Sequence, residues 1–240
     1  MNNLNKSGIR TKSLVAASLL TAISIILTRV FSIMIPIAGI QGLRVGFGGI
    51  PIIMSGILFG PLVGALTGTT ADLIGFIINP MGPYFPGFTL TAALSGFIPG
   101  AMYHYIFKKN REVNFNIVNA IIVIILSIVS GIVYYMNIRS ISISLLVVYS
   151  VAVLGFIVLP FLINKNFKRK YSDYRLDKLL FTISINTMVT SITLNTLWLV
   201  ILYNKGFILL FPIRVITALI TIPLESIIIY GISRYFKFMK

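Results

Sequence analysis

The chain of 240 residues has no cysteine, which removes disulfide scaffolds, thiolate metal sites and cysteine nucleophiles together. Acidic residues are almost as scarce: five Asp+Glu stand against 20 Lys+Arg, and charged residues make up 10% of the chain. A soluble domain carries about 25% charge to keep its surface wetted, so most of this surface faces something other than water. There is one histidine, and no nucleophile elbow, zinc-binding HExxH or Walker A loop. Enzyme readings therefore fare poorly, and neither a cofactor nor a metal site is expected.

Apolar sequence is what the chain has instead. The AVILMFWYC fraction is 57% and the mean hydropathy +0.98. Charge-free runs cover Val45–Ala71, Leu73–Phe107, Val113–Ile138, Ser140–Asn164 and Leu179–Asn204. A spanning helix needs about 20 apolar residues, so the chain reads as an all-α integral membrane protein. Divided at Gly/Pro pairs and polar turns, it gives eight apolar segments, at about 13–35, 47–59, 62–78, 88–107, 114–135, 142–163, 179–203 and 213–235. The first is long enough to span and carries no small-residue cleavage site, so it reads as a retained helix.

The formal net charge of +15 would suggest nucleic acid in a polar protein. Here the positive-inside rule accounts for it. With the N-terminus inside, cytoplasmic segments hold 15 of the 20 basic residues: Lys6, Arg10, Lys12; Lys108, Lys109, Arg111; Lys165, Lys168, Arg169, Lys170, Arg175, Lys178; and Arg234, Lys237, Lys240. Both termini are expected in the cytoplasm, with no nucleic-acid partner. Lys205 and Arg139 are assigned to lipid headgroups.

Texture separates two regions. Residues 36–101 hold 14 of the 19 glycines and seven of the ten prolines, as expected where irregular backbone lines a cavity. Residues 113–163 are mostly Ile, Val, Leu and Ser, as in lipid-facing packing. Within the apolar segments the acidic residues are Asp72 and Glu225, and an ionisable group at membrane depth marks a candidate site. For Asp72 the alternative is an ion pair with an arginine of a neighbouring helix. For Glu225, helix packing or a partner contact is the favoured reading. Arg29, Arg44 and Arg214 come from separate parts of the chain at similar depth and suggest an anionic ligand, with snorkelling as the alternative.

The run Asn79–Thr89 holds three prolines and two glycines and reads as a stiff loop. Its Tyr84, Phe85 and Phe88 could stack on a flat ring, and Asn79, Thr89, Asn195 and Trp198 could add hydrogen bonds and stacking. An aromatic belt at the membrane interface is the alternative. Small residues recur at four-residue spacing at Gly64/Gly68 and, more loosely, Ser13/Ala17/Thr21. That spacing serves internal packing or the docking of another membrane protein equally well.

Several of these runs resemble the folate-specific substrate-binding (S) components of energy-coupling factor (ECF) transporters. The resemblance rests on Leu43–Pro51, Gly56–Leu62, Asp72–Gly75, Asn79–Phe88, Thr193–Leu199 and Phe211–Val215, and covers 10–108 and 178–236. It implies one transmembrane domain with a six-helix core, to which 113–163 adds an inserted two-helix hairpin. It also implies high-affinity capture of folate from outside, docking on a transmembrane coupling protein driven by two cytoplasmic ATPases, and toppling in the membrane to release the ligand inside. Capture and gating would fall on Arg29 and the loop Ile37–Phe47, and docking on Ser13, Ala17, Thr21, Gly64 and Gly68. Asp72 or Asn79 would then pair with the pterin edge, Tyr84, Phe88 and Trp198 would stack on the rings, and Arg29, Arg44 or Arg214 would hold the glutamate carboxylates. Two rivals stand beside this: an S component for another vitamin, such as thiamine or a queuosine precursor, and a stand-alone secondary carrier or membrane enzyme.

Overall fold

In a computed structural model of the protein, residues 11–37, 40–107, 115–138, 154, 156, 158, 176–203 and 207–233 are described. The elements are α1 (Thr11–Arg29), β1 (Ile33–Ile37), β2 (Ile40–Val45), α2 (Gly49–Phe59), α3 (Pro61–Ile78), α4 (Pro86–Ala101), α5 (Phe115–Ile138), α6 (Leu176–Tyr203) and α7 (Phe207–Ser233). Among the described residues α1, α3, α5, α6 and α7 are long and apolar enough to cross a membrane, while α2 is shorter. The segment 142–163, apart from three of its residues, lies outside the described residues, as do Arg139, Lys205 and most of the basic residues assigned to the cytoplasm.

The first apolar segment does not stay helical to residue 35. α1 ends at Arg29, and Ile33, Ile35 and Ile37 alternate along a strand that pairs antiparallel with β2. Three β-branched residues at period two suit a strand, and hydropathy alone cannot separate such a strand from a helix. The register breaks between Ile35 and Pro36, where proline has no N–H to give the ladder. This hairpin marks one end of the bundle.

α4 likewise starts earlier than the proline-rich run suggests. Pro86 occupies its first turn, where a missing N–H costs nothing, so the true loop is Asn79–Phe85. Beyond Ala101, α4 continues through a π-helical turn at Met102–Ile106, and a second π segment, Met188–Leu194, interrupts α6.

Helices α2, α3 and α4 meet almost backbone to backbone. A Cβ on Gly64 would stand 2.5 Å from the Gly96 carbonyl oxygen and 2.6 Å from the Gly56 Cα, and one on Gly68 would collide with the Ala92 carbonyl. Ala17 and Thr21 are buried in the α1 interface with the same group, and Ser13 is only half-buried. Four of the five small residues expected to dock a partner are therefore spent on packing inside the subunit. The large apolar side chains of α1 and α3 point the other way: Leu14, Val15, Leu19, Leu62 and Leu66 are exposed.

The main core joins α1 and α2 (Leu20, Ile53, Ile57) to α6 (Leu179, Leu180, Ile183) and α7 (Val215, Leu219, Ile222), with Val123 of α5. On α5, Asn119, Val123 and Ser130 turn inward while Ile117, Ile121, Ile124, Ile125 and Ile128 stay exposed. Lys178, one of the basic residues assigned to the cytoplasmic side, lies buried in the first turn of α6 with its Nζ 5.2 Å from the centre of the Phe107 ring.

Candidate binding site

Where α1, α3, α4, α6 and α7 converge below the hairpin, they leave a cavity of about 340 Å³. Its rim carries Met34, Leu43 and Arg44 of the hairpin, Pro83, Tyr84 and Phe85 of the 79–85 loop, and Leu202 and Tyr203 of α6. Its inner wall reaches Ser24, Gly49, Ile52, Gly68, Ser95 and Thr190. Gly68 lies ten residues from the hairpin end of α3, so the cavity runs about 15 Å inward at 1.5 Å per residue. A volume in the range of about 300–1,000 Å³ suits a small organic ligand.

Arg29, Arg44, Asp72, Tyr84, Phe88, Asn195 and Arg214 all line this cavity, although they come from six different elements and the 79–85 loop. Arg29, however, is largely committed to the protein. Its Nη1 donates to the Asn79 carbonyl at 2.9 Å, and its Nη2 lies 3.4 Å from the Asp72 carbonyl oxygen and 3.7 Å from Asp72 Oδ1. The guanidinium lies flat across Gly75, where a Cβ would stand 2.7 Å from Nε. Asp72 Oδ2 accepts a hydrogen bond from Thr89 Oγ1 at 2.8 Å, and Thr89 Oγ1 lies 3.3 Å from the Tyr84 hydroxyl. Of the two readings of Asp72, the structure shows the ion pair. Together Arg29, Asp72, Asn79 and Thr89 tie the ends of α1, α3 and α4 to the loop that forms the rim.

Two other guanidiniums reach the wall. Arg214 is 6% exposed, and its Nη1 donates to the Ser191 carbonyl at 2.9 Å, in the π segment of α6. Arg44 faces Met34 across the hairpin and makes no hydrogen bond or ion pair among the described residues. Its side chain is exposed at the rim. Desolvation first, then repulsion from Arg29, push its pKa down to about 10, with Asp72 acting the other way. It stays cationic at neutral pH. Three guanidiniums and one carboxylate make the described wall net positive, which favours an anionic ligand.

The remaining expected ligand residues lie off the wall. Trp198 stands behind it, its ring 5.6 Å from Phe85 and its Nε1 donating to Thr91 Oγ1 at 3.0 Å. Asn79 and Thr89 act through Arg29 and Asp72, as above, and Phe47 is 44% exposed outside the cavity. Phe76, whose ring is 5.2 Å from Tyr84, and Phe85 supply aromatic wall instead. The hydroxyls of Ser24, Thr28, Thr91, Ser95, Thr190 and Ser191 were not singled out in the sequence. Serine and threonine are common in membrane helices and so gave no signal; Thr190 and Ser191 lie in the π segment of α6. His104 lies at the far end of α4, its Nδ1 3.1 Å from the Gly100 carbonyl.

Comparison with known proteins places this arrangement. A family model described as the S component of an ECF-type riboflavin transporter matches residues 8–160. A curated relative from Clostridium novyi (strain NT), the folate transporter FolT, is 29% identical over 209 residues, 87% of this chain and 80% of the relative. A crystal structure of FolT bound with folic acid superposes with a TM-score of 0.57 at 21% identity, covering 94% of both chains, and at that identity it supports the fold. With several apolar helices long enough to span and a family match over more than half its length, the chain is a multi-pass membrane protein that belongs to the S-component family of ECF-type riboflavin transporters.

Proposed function

We propose that this protein captures folate from outside the cell and delivers it through an ATP-driven ECF uptake complex. One observation carries the ligand assignment: the cavity joins aromatic wall (Phe76, Tyr84, Phe85, Phe88) to the guanidiniums of Arg44 and Arg214. Folate has the same division, a flat pterin and aromatic middle followed by a dianionic glutamate. Arginine forks pair with carboxylates bidentately, and rings stack on aromatic faces at about 0.5–1.5 kcal/mol per pair. The relative named as a folate transporter and the FolT structure with folic acid support the same reading.

Sidedness follows from the basic residues: with both termini cytoplasmic, the hairpin end and the mouth of the cavity face outward. The chain has no nucleotide-binding motif, so ATP hydrolysis belongs to two cytoplasmic ATPases acting through a transmembrane coupling protein. Docking on α1 and α3 would use the faces left exposed, Leu14, Val15, Leu19, Leu62 and Leu66, in place of the small-residue stripes that are packed inside.

The family description favours riboflavin as the second reading. Calorimetry on the purified protein separates the two. Arg44→Ala and Arg214→Ala should each weaken folate about tenfold or more, the worth of a hydrogen bond to a charged group. Riboflavin has no carboxylate, so its affinity would be untouched by either change. If neither substitution affects folate, the carboxylate assignment is wrong.

A further inference from the structure

Glu225 is a carboxylate at membrane depth that the cavity's own hydrogen bonds do not use. It sits on α7, eleven residues beyond Arg214. Among the described residues it has no hydrogen-bond or ion-pair partner, whereas Asp72 is taken up by Arg29 and Thr89. A carboxylate at membrane depth is costly, so its surroundings should show what it is for.

The start of α2 lies beside it. Gly49 opens that helix and lines the inner end of the cavity. A Cβ built on Gly49 would find Glu225 Oε1 at 3.9 Å and no other described atom within 4 Å. The missing side chain leaves a methyl-sized gap at Gly49, beside a carboxylate that is not itself among the residues lining the cavity. α2 also starts at depth, since Ser24 Oγ, five residues inside the end of α1, donates to the Gly48 carbonyl at 2.7 Å.

We propose that Glu225 is a specificity-determining acceptor at the inner end of the cavity, taking hydrogen bonds through the Gly49 gap from the N–H donor edge of a bound heterocycle. This rests on the folate reading, in which the pterin presents an exocyclic amino group beside a ring N–H. A carboxylate fork matches two parallel donors. It also orients the ligand: heterocycle inward at Glu225, glutamate toward Arg44 and Arg214. The donor-edge role that the sequence suggested for Asp72 or Asn79 passes to Glu225.

The test uses the full chain in detergent and calorimetry with two ligands, folate and its analogue lacking the 2-amino group. Wild type should prefer folate about tenfold or more, the worth of a hydrogen bond to a charged group. Glu225→Gln should weaken folate and bring the ratio of the two affinities close to one. Gly49→Ala places a methyl in the gap at ordinary contact distance, so it should fold normally and also lower the ratio. Gly49→Ala decides the matter if Glu225→Gln does not fold. A folded Glu225→Gln, or Gly49→Ala, that keeps the wild-type ratio overturns the proposal. Wild type that binds neither ligand overturns the folate reading itself, a result distinct from loss of discrimination.

Discussion

Arg29→Met tests whether the first-helix arginine holds the site together or holds the ligand. The substitution keeps an apolar stem over Gly75 but removes the donor to the Asn79 carbonyl and the counter-charge of Asp72. Breaking a buried pair from one side costs about 3–5 kcal/mol, because the other charge is left uncompensated. Asp72 is 22% exposed and the pair is 3.7 Å apart, so the low end applies, about 3 kcal/mol. For a chain of this size that lowers Tm by roughly 6–12 °C, at about 2–4 °C per kcal/mol. Thermal unfolding in detergent, followed by Trp198 emission, reads this directly. Arg29→Met/Asp72→Asn should recover part of the loss, since the orphaned charge is gone. Folate affinity measured well below Tm should fall less than for Arg214→Ala. An unchanged Tm together with a hundredfold loss of folate affinity would show that Arg29 serves the ligand and refute the staple.

Three further outcomes are expected. Gly96→Ala should destabilise the subunit by about 1–3 kcal/mol, the cost of overpacking, because its Cβ meets the Gly64 backbone, which cannot rotate away; Tm checks this. Trp198, packed at a tilt against Phe85, should change its emission when folate saturates the cavity, and Phe85→Ala should abolish most of that change. Trp198→Phe should weaken folate only a few-fold, because it loses the hydrogen bond to Thr91 Oγ1 and not a ligand contact. A loss approaching a hundredfold would place the indole against the ligand.

Several spans were legible because hydropathy reports directly on the bilayer. The end of α1 was not: lipid and interface select apolar residues whether Ile33–Ile37 is a helix or a strand, and only its period-two pattern held a clue. Arg29 and Asp72 were found as a set, but which carried ligand depended on a neighbour 43 residues away in sequence. The small-residue stripes were ambiguous for a related reason. Close approach looks the same in sequence whether the second helix belongs to this chain or to a partner. Trp198 packs against Phe85 outside the cavity lining, a placement that depends on tertiary packing and not on its position in the sequence. The π segment at Met188–Leu194 shifts register without a sequence signature, which hid Thr190 and Ser191.

Folate binding to the purified, ligand-free protein bears most directly on the central claim. Calorimetric titration with folate, with riboflavin and thiamine alongside, should give saturable one-to-one binding that is selective for folate. Saturable riboflavin binding with no heat from folate, in protein shown to be folded, would contradict the account and assign the cavity to the ligand in the family's name.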